Sequence, residues 1–218
     1  MNKKLIFLAI LFLIIGGLFY FLFIWEIPEE PEQETSGPTL FAKEDYKVEE
    51  REDGKYIVVE KAGLTCKVPE NWDIKIEGDD YPEPEYWVDL LSPDVEFTSI
   101  IITKGCGISI AIGTAKKQAK EIQDSIMFAQ EDPKNNEICN IILGTSECGE
   151  HIFGITKISE YQALKHISPS RELFGQGINI NIPISKEIII GLGATFPSGY
   201  REKCFLIWEE FIKNIIIE

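Results

Sequence analysis

The chain opens with an uncharged apolar run of 21 residues, Leu5 to Trp25, directly behind Lys3 and Lys4. A hydrocarbon core of about 30 Å needs roughly 20 helical residues, so this run predicts one membrane-spanning helix. Gly16 and Gly17 are tolerated inside such a helix. Trp25 suits the interfacial aromatic belt, and the lysines before the run place the N-terminus in the cytoplasm and the bulk outside. A cleaved signal is the rival reading. Its apolar region would run about 7–15 residues and end in a small-x-small site, whereas this run is longer and ends in Phe23, Ile24 and Trp25. No Leu-x-x-Cys lipobox precedes Cys66, and no prepilin pattern heads the run. Glu26–Leu40, with three prolines and five glutamates, predicts an extended, self-repelling tether. The expected organisation is a cytoplasmic stub 1–4, a transmembrane anchor 5–25, a linker 26–40 and one extracytoplasmic domain 41–218.

Beyond the tether the pattern changes to alternation. Tyr46–Arg51 and Lys55–Lys61 read as strands joined by the turn pair Asp53-Gly54. Gly63–Pro69, Asp73–Glu77, Trp87–Leu91, Thr98–Thr103 and Gly107–Ile112 read as further strands. Ala115, Ala119, Ile122 and Ile126 recur at helical spacing behind the N-cap candidate Thr114, predicting a helix over about 115–130, stopped by Pro133. Short strands are expected at Ile138–Leu143 and Ile152–Ile158, and irregular chain over Ser159–Gly177. Ile178, Ile180, Ile182 and Ile184 alternate with Asn179, Asn181 and Pro183. After a turn at Ser185-Lys186, Ile188, Ile190, Leu192, Ala194 and Phe196 alternate again. That is a hairpin with one buried face, and Pro183 argues for an edge or a bulge. Ser198 heads a last helix whose stripe is Phe205, Trp208, Phe211, Ile212 and Ile215. Strands linked by hairpins, with a few helices, predict an α+β domain: an antiparallel sheet flanked by helices.

Charge narrows the partners. Residues after Trp25 hold all 36 acidic and 19 of the 21 basic side chains, a formal charge of −17. Such a surface repels nucleic acid and anionic headgroups. The five cysteines sit in a part of the chain expected to be exported, where disulfides are permitted. A Cys139–Cys148 bridge across the turn Gly144–Ser146 is the first expectation, Cys66–Cys106 the second, with Cys204 a buried thiol. Connectivity does not follow from sequence alone. No Cys-x-x-Cys or Cys/His metal spacing occurs.

Gly63-Leu64-Thr65-Cys66-Lys67-Val68-Pro69-Glu70-Asn71-Trp72 resembles the Gly-hydrophobic-x-hydrophobic-x-hydrophobic-Pro-x-x-Trp opening of PsbP-like domains. The middle helix, the late hairpin and the terminal helix are similar in order, so the resemblance covers about residues 46–217. It implies an α-β-α sandwich around an antiparallel sheet, and binding or assembly rather than catalysis. Gly63, Pro69 and Trp72 are then a turn, a strand stop and a core aromatic. No functional residue of the family carries over.

Candidate chemistry is sparse. His151 and His166 are the only histidines. Ser146, in Gly144-Thr145-Ser146-Glu147-Cys148-Gly149, misses Gly-x-Ser-x-Gly, and a turn accounts for it. Cys148 with His151 is a nucleophile–base combination only if Cys148 is unbridged. Asp79, Asp80, Glu83 and Glu85 supply the oxygens that Ca²⁺ takes. They lack the spacing and glycine of a Ca²⁺ loop, and a solvated loop accounts for them. Tyr81, Tyr86 and Trp87 beside these acids form a possible contact surface; partial burial against the sheet explains them equally. No phosphate loop, dinucleotide fingerprint or glycosylation sequon is present, and no cofactor is expected.

The sequence therefore predicts a membrane-anchored extracytoplasmic binding or assembly module without catalytic activity, held through Leu5–Trp25 and meeting a protein partner. That reading expects a smooth exterior with no deep polar pocket. The alternative is a tethered hydrolase or thiol enzyme using His151 or His166. It needs a histidine in a cleft within about 3.5 Å of a serine, cysteine or carboxylate. A third reading is a structural partner of other envelope proteins acting through the span.

Overall fold

The computed structural model describes residues 39–79, 85–99, 101–170 and 175–218. The run Leu5–Trp25 and nearly all of the tether lie outside the described residues, as do Asp80, Tyr81 and Glu83. Among the described residues no helix is long and apolar enough to cross a membrane.

Alternation of β-branched and small residues builds one large antiparallel sheet. Its path runs β10 (Ile152–Ile158), β11 (Tyr161–Ile167), β12 (Gln176–Pro183), β13 (Ile188–Phe196), β9 (Gly107–Thr114), β6 (Glu85–Leu91) and β5 (Asp73–Asp79). A short β1 (Thr39–Leu40) extends it beside the end of β9, pairing with Thr114 and Gly113. The last two residues of the expected tether thus belong to the folded domain. A second antiparallel sheet runs β14 (Ile215–Ile217), β4 (Leu64–Lys67), β3 (Gly54–Val59) and β2 (Lys47–Arg51). The hairpin β7 (Glu96–Thr98) and β8 (Ile101–Lys104) stands apart. Three α-helices complete the described chain: α1 (Lys116–Glu131), α2 (Asn136–Leu143) and α3 (Arg201–Lys213). The class is α+β with antiparallel sheets.

The two faces of the large sheet differ in kind. One parity carries Val88, Leu90, Ile108, Ile110, Ile112, Ile178, Ile180, Ile190 and Leu192, all nearly inaccessible. They form one cluster with Ile57, Val59 and Leu64 of the small sheet and with Trp208 and Phe211 of α3. Each such fully buried aliphatic side chain contributes about 1.5–3 kcal/mol of transfer free energy. On the other face, Ala119, Ile122, Ile126 and Ala129 of α1 meet Phe153, Leu164 and Ile189 in a second, smaller cluster. Tyr46 crosses between strands: its hydroxyl donates to Tyr86 O at 2.9 Å and accepts from Ile112 N at 3.1 Å.

Several local expectations change. Ile138–Leu143 is helical, not a strand. Asn135 caps it by accepting from Glu137 N at 2.9 Å, Gly144 ends it in the left-handed region, and Ile138 and Cys139 share its buried face. Ser159–Gly177 is not irregular throughout, because β11 pairs with both β10 and β12. Thr114 ends β9 rather than capping α1, whose N-cap position is Ala115. Ser198 opens a short 3-10 turn before α3. Ile215 leaves the helical stripe for β14, where it pairs with Cys66. Pro183 lies inside the sheet path, yet β11 pairs with β12 only over 178–181. Its missing N–H therefore faces no partner strand. Gly63 adopts φ 60° ahead of β4, and Trp72 is buried in the large core.

The disulfides also depart in part from expectation. Cys139–Cys148 forms, but it joins the middle of α2 to the loop that follows the helix. The second bridge is Cys106–Cys204, with Cα atoms 5.4 Å apart and a sequence separation of 98. The expected Cys66–Cys106 pair does not form. Cys66 lies in β4 between Ile57 and Ile215, its thiol fully buried, while Cys106 meets α3. Cys204 is thus bridged, and Cys66 is the free thiol. Burial pushes the Cys66 thiol up to about 12, so it stays protonated and inert.

Two outcomes follow for the unreduced protein. Alkylation labels no cysteine in the native state and one, Cys66, in denaturant; labelling of a second would contradict these pairings. The double change Cys106→Ser with Cys204→Ser lowers the urea-unfolding free energy by about 2–5 kcal/mol, because it frees a long loop in the unfolded chain.

Candidate functional site

Antiparallel register lines up one residue from each strand in a row across the sheet. On the second face the row is Phe153, His166, Asn179, Gly193, Ser109, Asp89 and Lys75, each the direct cross-strand partner of the next. Direct partners on one face lie about 4.5–5.5 Å apart at Cβ. From His166 to Lys75 the row crosses five strand gaps, about 24 Å in all. The neighbouring row runs Leu164, Asn181, Gly191, Ala111, Trp87 and Glu77. Asn179 and Ser109 are exposed, and Asp89, Trp87, Asn181 and Gly193 half-buried. This part of the face bears amides, a hydroxyl, carboxylates and glycine where the opposite face bears isoleucine.

An open cleft of about 850 Å³ lies against the row. Its floor includes Gly107, Ser109, Gly177 and Thr195; Lys75, Glu77 and Asp89 line one part, Phe97 and Ile102 of the β7–β8 hairpin another, and His151 and Ser168 a third. The hairpin approaches so closely that a Cβ at position 107 would overlap Ile102 Cδ1. A larger residue there would push the end of the Ile102 side chain aside and reshape that wall of the cleft. Asp89 is held by two donors: Trp87 Nε1 at 3.0 Å, and Ser109 Oγ through a short hydrogen bond. Lys75 Nζ sits 3.9 Å from Glu77 and 5.8 Å from the Phe97 ring centre, within cation–π range. Ser168 Oγ accepts from Gly177 N at 3.0 Å and donates to Gly177 O at 3.2 Å, closing the far end. A second hollow of about 300 Å³ lies beyond it, lined among others by Gln118, Glu121, His166, Asn179 and Asn181.

Between the two hollows stand the histidines. His151 Nδ1 and His166 Nε2 are 2.8 Å apart. The ring centres are only 5.0 Å apart and the planes 24° from parallel, so the rings meet end to end through one shared proton. His166 is nine-tenths buried, and Phe153 lies flat on it with centroids 4.6 Å apart. Burial pushes its imidazole down to about 4, and the adjacent His151 adds to the shift. His166 is therefore neutral at pH 7. His151 is positioned from behind: its backbone N–H donates to Cys148 O at 3.0 Å, in the loop tied by the Cys139–Cys148 bridge.

The other sequence candidates fall elsewhere. Cys148 is bridged, so it is no nucleophile for His151. Ser146 is exposed in the loop after α2. Among the described residues neither imidazole has a hydrogen bond to a serine, a thiol or a carboxylate. Asp79 and Glu85 pair through their backbones at the ends of β5 and β6, while Asp80 and Glu83 lie outside the described residues. Among those described, no group of three or more His, Cys, Asp or Glu side chains can hold a metal ion. Tyr86 points into the large core, Trp87 lies on the polar face, and Tyr81 is outside the described residues. Among the described residues an open cleft interrupts the exterior that the sequence predicts to be smooth and without a deep polar pocket. Lys75, Asp89, Ser109 and Asn179 were not foreseen as site residues. The alternation that marks their strands was visible, but the register that aligns them was not. No protein-family model matches the chain, and no curated protein matches it.

The histidine pair makes a signed prediction. The folded state releases the His166 proton where the unfolded chain, with pKa 6.5, still binds it. Its contribution to stability is complete above pH 6.5 and is lost as pH falls from 6.5 to about 4. With the ring still partly reached by solvent, the loss is on the order of 1–2 kcal/mol. Urea unfolding at pH 7 and pH 4 should show a smaller drop for His166→Gln than for the wild type. Equal drops would refute the buried neutral imidazole.

Proposed function

We propose that this chain is a single-pass membrane protein whose extracytoplasmic domain is a non-catalytic binding module, with the polar row and its cleft as the binding surface. The observation that carries the reading is the contrast between the faces of one sheet: polar and small residues in register beside an open cleft, isoleucine behind. Core packing never requires aligned amides and carboxylates, and burying them would cost free energy. The uncharged run Leu5–Trp25 supports the anchor, and Lys3 and Lys4 support the orientation. The helices α1 and α2 on one face of the large sheet and α3 on the other, where a second sheet joins it, match in part the α-β-α sandwich of PsbP-like domains, a family of binding and assembly modules.

A thiol enzyme is disfavoured by the chemistry of the cysteines: four are bridged and the fifth is buried and protonated. A serine hydrolase would need an imidazole bonded to its nucleophile. The imidazoles here are bonded to each other.

The test uses the intact chain in native membranes. Ser109→Trp fills the middle of the row at an exposed position and should leave the thermal midpoint unchanged. Cross-linking and recovery from membranes should yield a ligand or protein with the wild type that is depleted at least tenfold with Ser109→Trp. Equal recovery with both would exclude the row as the binding surface. The anchor is tested separately: the domain should sediment with membranes, and a free domain of mature size in the medium would overturn it.

A further inference from the structure

We infer that the ligand of this face is a linear, uncharged saccharide chain lying across the strands along the row from Lys75 to His166. The inference rests on the binding-module reading and adds the ligand class.

Four properties of the face select that class. First, among the described residues Glu77 and Asp89 oppose one ammonium, Lys75, in the main cleft, and Glu121 adds a carboxylate in the second hollow, an excess of carboxylates that disfavours a polyanionic ligand. Second, the cleft is mixed in character: Leu91, Phe97, Ile101, Ile102 and Pro169 line it together with glycine, serine and threonine, a combination that suits an amphipathic sugar ring better than an acyl chain, which would leave the polar groups unpaired. Third, the backbone N–H and C=O groups of β9 and β13 are spent on ladders to both neighbours. Over these inner strands a peptide cannot add as a strand, which requires a free sheet edge such as the outer side of β5. Recognition along the middle of the row therefore comes from side chains.

Fourth, those side chains suit hydroxyl groups. Asp89 is fixed by Trp87 and Ser109, which leaves carboxylate lone pairs to accept from a ligand. Asn179 and Asn181 each offer an amide donor and an amide acceptor. A sugar hydroxyl both donates and accepts, so it can satisfy either kind of group. Trp87 and Phe97 flank the polar groups with aromatic surface, as amphipathic sugar rings require. The glycines at 191 and 193 keep the middle of the path low. About 24 Å of aligned polar groups demands a chain of several linked units rather than one small molecule.

The histidines then acquire distinct roles. His151 faces the main cleft and His166 the second hollow. His166 is a positioning residue: its Nε2, 2.8 Å from His151 Nδ1, holds the His151 ring in one orientation and one tautomer, leaving the Nε2 of His151 to exchange a hydrogen bond with a ligand hydroxyl.

The experiment uses the full chain in a zwitterionic, sugar-free detergent and follows amide and imidazole resonances by NMR. The probes are a neutral glucan tetrasaccharide, an N-acetylglucosamine tetrasaccharide, inorganic tripolyphosphate and an extended Ser/Ala peptide. At millimolar concentrations at least one of the two saccharides should shift the amides of Asp89, Ser109, Asn179 and Gly193 together and saturably. Asp89→Ala and Asn179→Ala should each weaken that binding roughly tenfold, the effect of losing one or two hydrogen bonds. His166→Phe should erase the single-tautomer signature of the His151 ring nitrogens while the fold persists, which a merely structural role would not do. If neither saccharide moves the row while the peptide or the tripolyphosphate does, the saccharide class is wrong and the binding-module reading stands. If no probe moves the row and Ser109→Trp also leaves membrane recovery unchanged, both are wrong.

Discussion

Everything on the polar face depends on the register of the large antiparallel sheet. Side chains alternate between faces with a period of two, so a slip of one residue anywhere in a strand exchanges its faces. Here a slip in β12 would bury Asn179 and Asn181 among the isoleucines of β13 and expose Ile178 and Ile180. The transfer cost of several aliphatic side chains, together with unsatisfied amides, makes that slip prohibitive. The same holds for β9, where Ser109 alternates with Ile108 and Ile110. The hydrophobic face thus sets the geometry of the polar face without touching a ligand, and six strands can present their groups in one straight row because none is free to slide.

The covalent links act at the margins of this arrangement, where strand pairing alone is weak. Cys106–Cys204 fastens the start of β9 to α3, so the helix that closes the apolar layer cannot peel away. Beside it Ser92 Oγ accepts from Cys106 N at 2.8 Å and donates to Asp94 at 2.7 Å. Asp94 in turn pairs with Lys203 of α3 at 2.9 Å. The exposed ion pair adds little stability by itself, but it continues the same tie. On the other face Cys139–Cys148 fixes the loop whose carbonyl holds His151. One bridge therefore secures the layer behind the sheet, and the other positions a side chain in front of it.

Much of this was legible in the chain and some was not, for physical reasons. The runs Gly107–Ile112, Ile178–Ile184 and Ile188–Phe196 announce their strands, because one-sided burial writes an alternating pattern. The α1 stripe is equally plain. Ile138–Leu143 misled because a short apolar run has no decisive period; the cap at Asn135 and the left-handed Gly144 turned it into a helix. Tyr161–Ile167 was missed because Gln162, Lys165 and His166 dilute its alternation. The disulfides illustrate the limit best. Cys139 and Cys148 are close in sequence and could be paired by inspection. Cys106 and Cys204 are joined only because α3 folds back onto the sheet, a fact of tertiary structure. The row is of the same kind: each of its members is an ordinary polar residue in its own strand.

Electrostatics gives the face its last distinguishing feature. The chain after Trp25 carries a formal charge of −17, yet the row itself is nearly balanced and its buried imidazole is neutral. A charged ligand would be governed by the long-range field, which physiological salt screens beyond about 8 Å. The row instead offers directional donors and acceptors at fixed spacing, whose interactions act at contact distance and are little affected by salt. Discrimination at such a face comes from whether a ligand's hydroxyl or amide groups repeat at the spacing of the strands. That demand is set by the sheet, and through the sheet by the isoleucines on its far side.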